Sequence, residues 1–431
     1  MARRRIAVIG TGHRAEMFIR AVTDDHAGTA ELVALADVNQ SRMDVHNGWL
    51  KSPVPTYRAA DLATMLRRER VDELIVTSVD STHAEHIVTA LEAGCDVITE
   101  KPMTVDAASC DRILDAAERT GRRVRVAFNY RFNPVHEVVR TLLAGGEIGE
   151  IGSVHFEWLL DVRHGADYFR RWHRDKANSG GLLVHKSGHH FDLVNWWLGA
   201  APAEVYASGR LFFYGEQGRR HGYARGYDRA HGSDDARDDP FALDLAADPK
   251  LRALYLDAED EDGYHRDRNV FAPGITIEDD LAVLVRYDTG ATMSYHLTAY
   301  APWEGYRLMV NGSKGRLELE IVESDHVSPS AAGQVKQGAS PESGSATLTV
   351  RPFWSPPYAV DLPPVDRAGH GGADKRMTAV LLGGETDPMR RSATARDGAL
   401  ALLTGLAANQ SLRTGLPVPT DEVTRWRPTR S

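Results

Sequence analysis

The sequence predicts an α/β domain followed by an α+β domain, and three features carry that reading. A short apolar strand at 5–9 runs directly into Gly10-Thr11-Gly12-His13-Arg14-Ala15 and then into a helical pattern. Strands and helices go on alternating to about residue 128, the rhythm of a doubly wound parallel sheet. Beyond it, strands pair through short turns at Asp288-Thr289-Gly290 and at 312–315, the mark of hairpins.

In the first domain, residues 1–128, the strand at 5–9 is apolar from Ile6 to Ile9, as a strand covered on both faces must be. GxGxxA between strand and helix allows a tight turn and lets the backbone approach a pyrophosphate at a helix N-terminus. Gly10, Gly12, His13 and Arg14 are therefore candidate cofactor contacts. A second strand at 31–36 ends in Asp37, placed to accept hydrogen bonds from the adenosine ribose and to repel a 2′-phosphate. That favours NAD over NADP, although Arg42 nearby pulls the other way. A helix at 61–70, a strand at 73–79, a helix at 82–93, a strand at 96–99, a helix at 105–119 and a strand at 123–128 complete the domain. Ligands bind beyond the carboxyl ends of such strands, which puts Ser78, His83, Glu100 and Lys101 on the cofactor side.

The second domain, 129–368, reads as strands at 152–160, 204–213, 279–287, 291–300 and 306–311. An insertion at 215–273 is rich in charge and glycine, with a helical patch at 249–257; a connection of that length is either a lid or a poorly ordered segment. A second excursion, 324–364, surrounds a strand at 346–353. Helices at 373–382 and 393–412, within a closing segment 369–431, are expected to pack back on the first domain. A sheet with one face under its own helices leaves the other for a second subunit, so a homo-oligomer, dimer or tetramer, is expected through it.

Residues 180–199, GGLLVHKSGHHFDLVNWWLG, read as a helix that Gly199 ends. At about 100° per residue, His185, His189, Asp192 and Trp196 share one stripe, with Leu183, Phe191, Val194 and Leu198 opposite. Such a stripe suits either a base for a substrate hydroxyl or, through the i, i+4 histidines, a divalent metal.

Composition narrows the field. The net charge of -9 argues against a nucleic-acid partner. Cys95 and Cys110 are too few for a disulfide framework, which points to a reducing, cytoplasmic setting. The basic opening MARRR precedes only four apolar residues, so neither an export signal nor a membrane span is read.

Together these motifs resemble the Gfo/Idh/MocA oxidoreductase family, the glucose-fructose oxidoreductase and inositol dehydrogenase group. The resemblance rests on the glycine turn, THAEHIVTALEAG at 82–94, EKP at 100–102, YRFNP at 130–134, EIGEIGSVHFEW at 147–158, the GG…GHHFD block and MVNGSKGRLELE at 309–320. It implies a Rossmann domain joined to an α+β domain on an open, mostly antiparallel sheet. It also implies hydride transfer between NAD(P) and a carbinol carbon of a sugar, sugar acid or cyclitol. Lys101 and His189 match the residues that contact the reacting hydroxyl. Lys101 also stands at the sheet's mouth, where a cationic nicotinamide would lower its pKa.

His185 departs from the pattern, which commonly has aspartate there. The change keeps His185 a catalytic candidate and leaves two other ideas open: a metal at His185, His189 and Asp192, and a redox-assisted glycoside hydrolase that oxidises, eliminates, hydrates and reduces on a retained NAD. A non-catalytic NAD sensor is a further alternative. For substrate contacts the expectation is Asn129, Arg131, Lys186, His190 and Asp192, with Arg163, Tyr168 and Trp172 from a polar loop at 161–176. No metal ligand is expected among them.

Overall fold

The computed structural model describes residues 3–328, 342–364 and 372–426. Two sheets organise them. The first contains β1 (Arg4–Ile9), β2 (Ala30–Asp37), β3 (Thr56–Arg58), β4 (Glu73–Val76), β5 (Asp96–Thr99) and β6 (Val124–Val126). These six run parallel in the order β6-β5-β4-β1-β2-β3. Alternate residues of β1 enter different cores, Ile6 and Val8 on one face and Ala7 and Ile9 on the other. That is why the strand reads as a continuous apolar run.

The second sheet contains β7 (Ile151–Asp161), β8 (Pro202–Arg210), β9 (Asp280–Tyr287), β10 (Thr292–Ala301), β11 (Glu304–Gly312), β12 (Gly315–Ser324), β13 (Ser345–Pro352) and β14 (Tyr358–Ala359). A short β15 (Ala393–Thr394) pairs antiparallel with β6 on the first sheet, and β16 (Val418–Pro419) closes the second beside β8. Its pairs are antiparallel except β7 with β10. In β9, Leu281, Val283, Val285 and Tyr287 point into the core, while Leu284, 56% exposed, faces outward. The fold class is the expected one, a Rossmann sheet plus an α+β domain.

The helix Ala395–Thr414 ties the two sheets together, and two glycines make its fit possible. A side chain at Gly398 would meet Val126 of the first sheet, and one at Gly405 would lie 2.6 Å from the Leu183 carbonyl. Ala373–Leu381 packs Ala373, Met377 and Leu381 into the core that holds Ile6 and Val8.

Three elements differ from the sequence expectation. The run expected at 204–213 leaves the sheet after Arg210, because the backbone N–H groups of Phe212, Phe213 and Tyr214 all donate to the Asp279 carboxylate. The segment at 161–176 is largely helical, Val162–Arg170, started by Asp161 accepting from the His164 N–H. The helix expected at 180–199 is two pieces, Leu182–His185 and Ser187–Leu198, meeting at Lys186 and ending at Gly199 with φ +61°.

The insertion is folded. Leu243, Leu245, Leu251, Leu254 and Tyr255 form a small core of their own, and Tyr223 stacks on Phe271 at 5.4 Å. Residues 329–341 of the second excursion and 369–371 of the closing segment lie outside the described residues. Among the described residues, no helix is long and apolar enough to cross a membrane.

Candidate active site

A cleft of about 700 Å³ opens at the carboxyl ends of β1, β4 and β5, between the two sheets. Its floor is the glycine turn. Gly10 has φ +90°, and a Cβ there would lie 2.4 Å from the Ser78 backbone nitrogen, so only glycine fits. Asp37, ending β2, is 6% exposed; its Oδ2 accepts from the Thr11 N–H and hydroxyl at 2.5 and 2.9 Å. At the same rim, Arg14 bonds Glu100 and Asp374, and Asn129 donates to Asp374 at 2.8 Å. Among the described residues, the buried Asn129 Oδ1 has no hydrogen-bond partner. A glycine turn without a side-chain cap on its helix, an acid at the end of β2 and an orphaned buried acceptor fit a dinucleotide.

The chemistry gathers at the other end. Lys101 follows β5, and its peptide to Pro102 is cis. The Lys101 ammonium donates to the His185 carbonyl at 3.1 Å and lies 3.3 Å from His185 Nε2. The opposite nitrogen, Nδ1, is 2.5 Å from Asp80 Oδ2, in the turn after β4. These three groups form one line, Lys101–His185–Asp80. Burial lowers Lys101 to about 8, against the upward pull of Glu100 and Asp80. Burial, reinforced by Lys101, holds His185 well below the ordinary imidazole value, and burial lifts Asp80 well above the usual carboxylate range. With Nδ1 bonded to Asp80, His185 turns its other nitrogen to Lys101.

His189, one turn on, lines the same cleft and stacks on Tyr130 at 4.4 Å. Lys186 donates to the Tyr130 hydroxyl and sits 4.8 Å above the Trp158 ring. Tyr168 and Trp172 stand edge-on to His185, at 5.6 and 5.9 Å. Gly12, His13, Ser78 and Glu100 also line the cleft.

Five expected contacts are placed elsewhere. Arg131 and Asp192 pair with each other through two hydrogen bonds, 2.7 and 2.6 Å, in the protein interior, and Asp397 adds a second carboxylate to Arg131. His190 stacks on Trp158 at 4.0 Å and bonds the Tyr295 hydroxyl. Arg163 lines a separate hollow between the insertion and Val327. His83 is wholly buried between the carbonyls of Pro102 and Ser78, where it braces the turn that carries Lys101. The one-stripe reading of 180–199 fails because the helix breaks at Lys186 and its later half turns into the core.

The sequence reading missed Asp80, although the rule that selected Ser78 and His83 also covers its position. Arg171, from the polar segment at 161–176 expected to meet substrate, lines the cleft and donates to His173 at 3.0 Å; Tyr255, Asp262, Tyr264 and Arg266 of the insertion, which also line it, were not expected there. Nothing local marks the insertion residues. Both ring nitrogens of His185 are engaged by Lys101 and Asp80, and among the described residues no three His, Cys, Asp or Glu side chains gather as metal ligands.

Two family models match the chain. One, for the NAD-binding Rossmann fold of an oxidoreductase family, covers residues 4–128; the other, for that family's C-terminal alpha/beta domain, covers 140–420. YteT of Bacillus subtilis (strain 168), named as an oxidoreductase, is 35% identical over 97% of this chain and 98% of its own. An inositol 2-dehydrogenase of Gluconacetobacter diazotrophicus is 37% identical over 35% of this chain and 44% of its own. Among solved structures, the WlbA dehydrogenase from Bordetella pertussis, in complex with NADH and UDP-GlcNAcA, has a TM-score of 0.64 at 19% identity, covering 97% of this chain and 99% of that one. Myo-inositol 2-dehydrogenase from Lactobacillus plantarum has a TM-score of 0.63 at 17% identity, covering 97% and 99%. With both of its domains matched in order and a relative similar along nearly its whole length, the chain belongs to the Gfo/Idh/MocA family of oxidoreductases.

Proposed function

We propose that the protein moves hydride between NAD and a secondary alcohol carbon of a sugar, sugar acid or cyclitol. The observation that carries this is Lys101, a buried amine with its pKa lowered to about 8, in line with His185 and Asp80 and in the same cleft as the glycine turn. When bound, the nicotinamide supplies the hydride acceptor. The chain's own work is then to take the hydroxyl proton. Neutral Lys101 Nζ accepts it, and His185 Nε2, backed by Asp80, is a second acceptor within reach of Lys101. His189 orients the hydroxyl from the neighbouring turn.

Two finer choices follow. Asp37 accepts ribose hydroxyls and repels a 2′-phosphate, and Arg42 is already committed to Asp262 at 2.6 Å, which favours NAD over NADP. On the substrate side, Lys186 and Arg171 line the cleft near His185, donors that favour a substrate with its own carboxylate. The outward face of the second sheet, with Leu284 and Tyr206 56% and 40% exposed, supports a homo-oligomer.

The test is NADH formation from NAD with a panel of cyclitols, sugars, sugar acids and glycosides, with products followed by mass spectrometry. NADH in step with a keto product supports the dehydrogenase. Aglycone release without net NADH supports the redox-assisted hydrolase instead.

A further inference from the structure

The insertion touches the Rossmann domain at two of the helix N-termini that border the cleft. At the first, the Tyr255 hydroxyl accepts from the His13 N–H at 2.9 Å, 3.4 Å from where a Gly12 Cβ would be, and Lys250 pairs with Glu16 at 2.8 Å. At the second, Glu261 accepts from the N–H groups of Gln40 and Ser41, at 2.7 and 2.9 Å. Asn39 donates to the Ala258 carbonyl, and Arg42 is held by the Leu254 carbonyl and by Asp262. Arg266, 3% exposed, lies 4.7 Å over the Tyr255 ring. Burial, with Arg266 and Lys250 close by, lowers His13 to about 4, so its side chain is neutral beneath this cover.

The insertion therefore meets the cleft at its dinucleotide end. Tyr255, Tyr264 and Arg266 line the cleft together with Gly12 and His13, and Asp262 lines it with Asp37 and Arg42. The Tyr255 hydroxyl holds a backbone donor of the glycine turn, so a pyrophosphate reaches that donor only if the segment gives way.

We propose that residues 250–266 are a clasp that must undock for the dinucleotide to enter or leave, and that Asp262, by engaging Arg42, sets the cofactor preference against a 2′-phosphate. The proposal rests on the dinucleotide-dependent reading above and adds to it that exchange of the cofactor is slow.

The experiment reads binding kinetics on the full chain, with NADH fluorescence in stopped flow. Glu261→Ala removes the outermost tie, on a partly exposed side chain far from the reacting groups, and Lys250→Met removes the tie to Glu16. Each is expected to speed NADH release about tenfold, the loss of one charge-assisted hydrogen-bond pair. Glu216→Ala, elsewhere in the insertion, is expected to leave the rate unchanged. Asp262→Asn is expected to narrow the NADH-over-NADPH ratio of dissociation constants by about tenfold. Release rates in both tie variants equal to wild type, in folded protein by circular dichroism, would overturn the clasp; an unchanged ratio in Asp262→Asn would overturn its role in selection. Absence of any NADH signal with wild type would overturn the function reading itself, and the clasp with it.

Discussion

His185 and Asp192 stand two turns apart in one segment, 7% and 1% exposed, yet only His185 reaches the cleft. Asp192 is answered on both oxygens by one guanidinium, a fixed charge with a fixed partner. Burial still lifts its carboxyl to about 6, against the downward pull of Arg131. His185 lies instead between an acid and an amine, each with its pKa displaced by burial. The difference teaches how to read buried polar groups in this protein. Where opposite charges saturate each other, the group holds the fold. Where neighbours can exchange a proton, it is a candidate for the reaction.

Substitutions at the two ends of the segment sharpen that contrast. The largest effect is expected from Lys101→Met: turnover falls about 10²–10⁴-fold, the range for a general base, while NADH binding by fluorescence is kept. Asp192→Ala leaves Arg131 with Asp397 alone and is expected to lower unfolding stability by about 3 kcal/mol in urea titrations, the low end for a broken buried pair, with turnover of the folded fraction near wild type. A comparable loss of turnover per folded molecule would break the distinction. Asp80→Asn keeps the shape but weakens the hold on His185 Nδ1; a loss of about tenfold in kcat is expected, with KM nearly unchanged. The smallest effect is expected at His190→Gln, about 1 kcal/mol of stability from its bond to Tyr295 and no change in kcat.

The legible and illegible parts of the molecule divide along the same line. The first sheet could be read because each apolar strand meets its turn within a few residues, and the glycine turn carries its own reason in Gly10. His185 and His189 were legible by their spacing. Asp192 misled because its partner, Arg131, comes from before β7, and no local pattern announces a buried pair. The insertion was illegible for a related reason. Tyr255, Asp262 and Arg266 gain their meaning only from Gly12, Asp37 and Arg42, more than 200 positions earlier in the chain.

The central claim is that Lys101 is the proton acceptor, and its pH dependence tests this most directly. Oxidation needs the neutral amine, whose fraction rises with pH, so kcat/KM for alcohol oxidation by NAD should climb through about pH 8 and level off above it. Reduction of the ketone by NADH needs the ammonium and should fall through the same value. In Lys101→Met both inflections should vanish. A profile in the wild type that is flat across this range, or an inflection that survives in Lys101→Met, would contradict the assignment and move the base to His189 or His185.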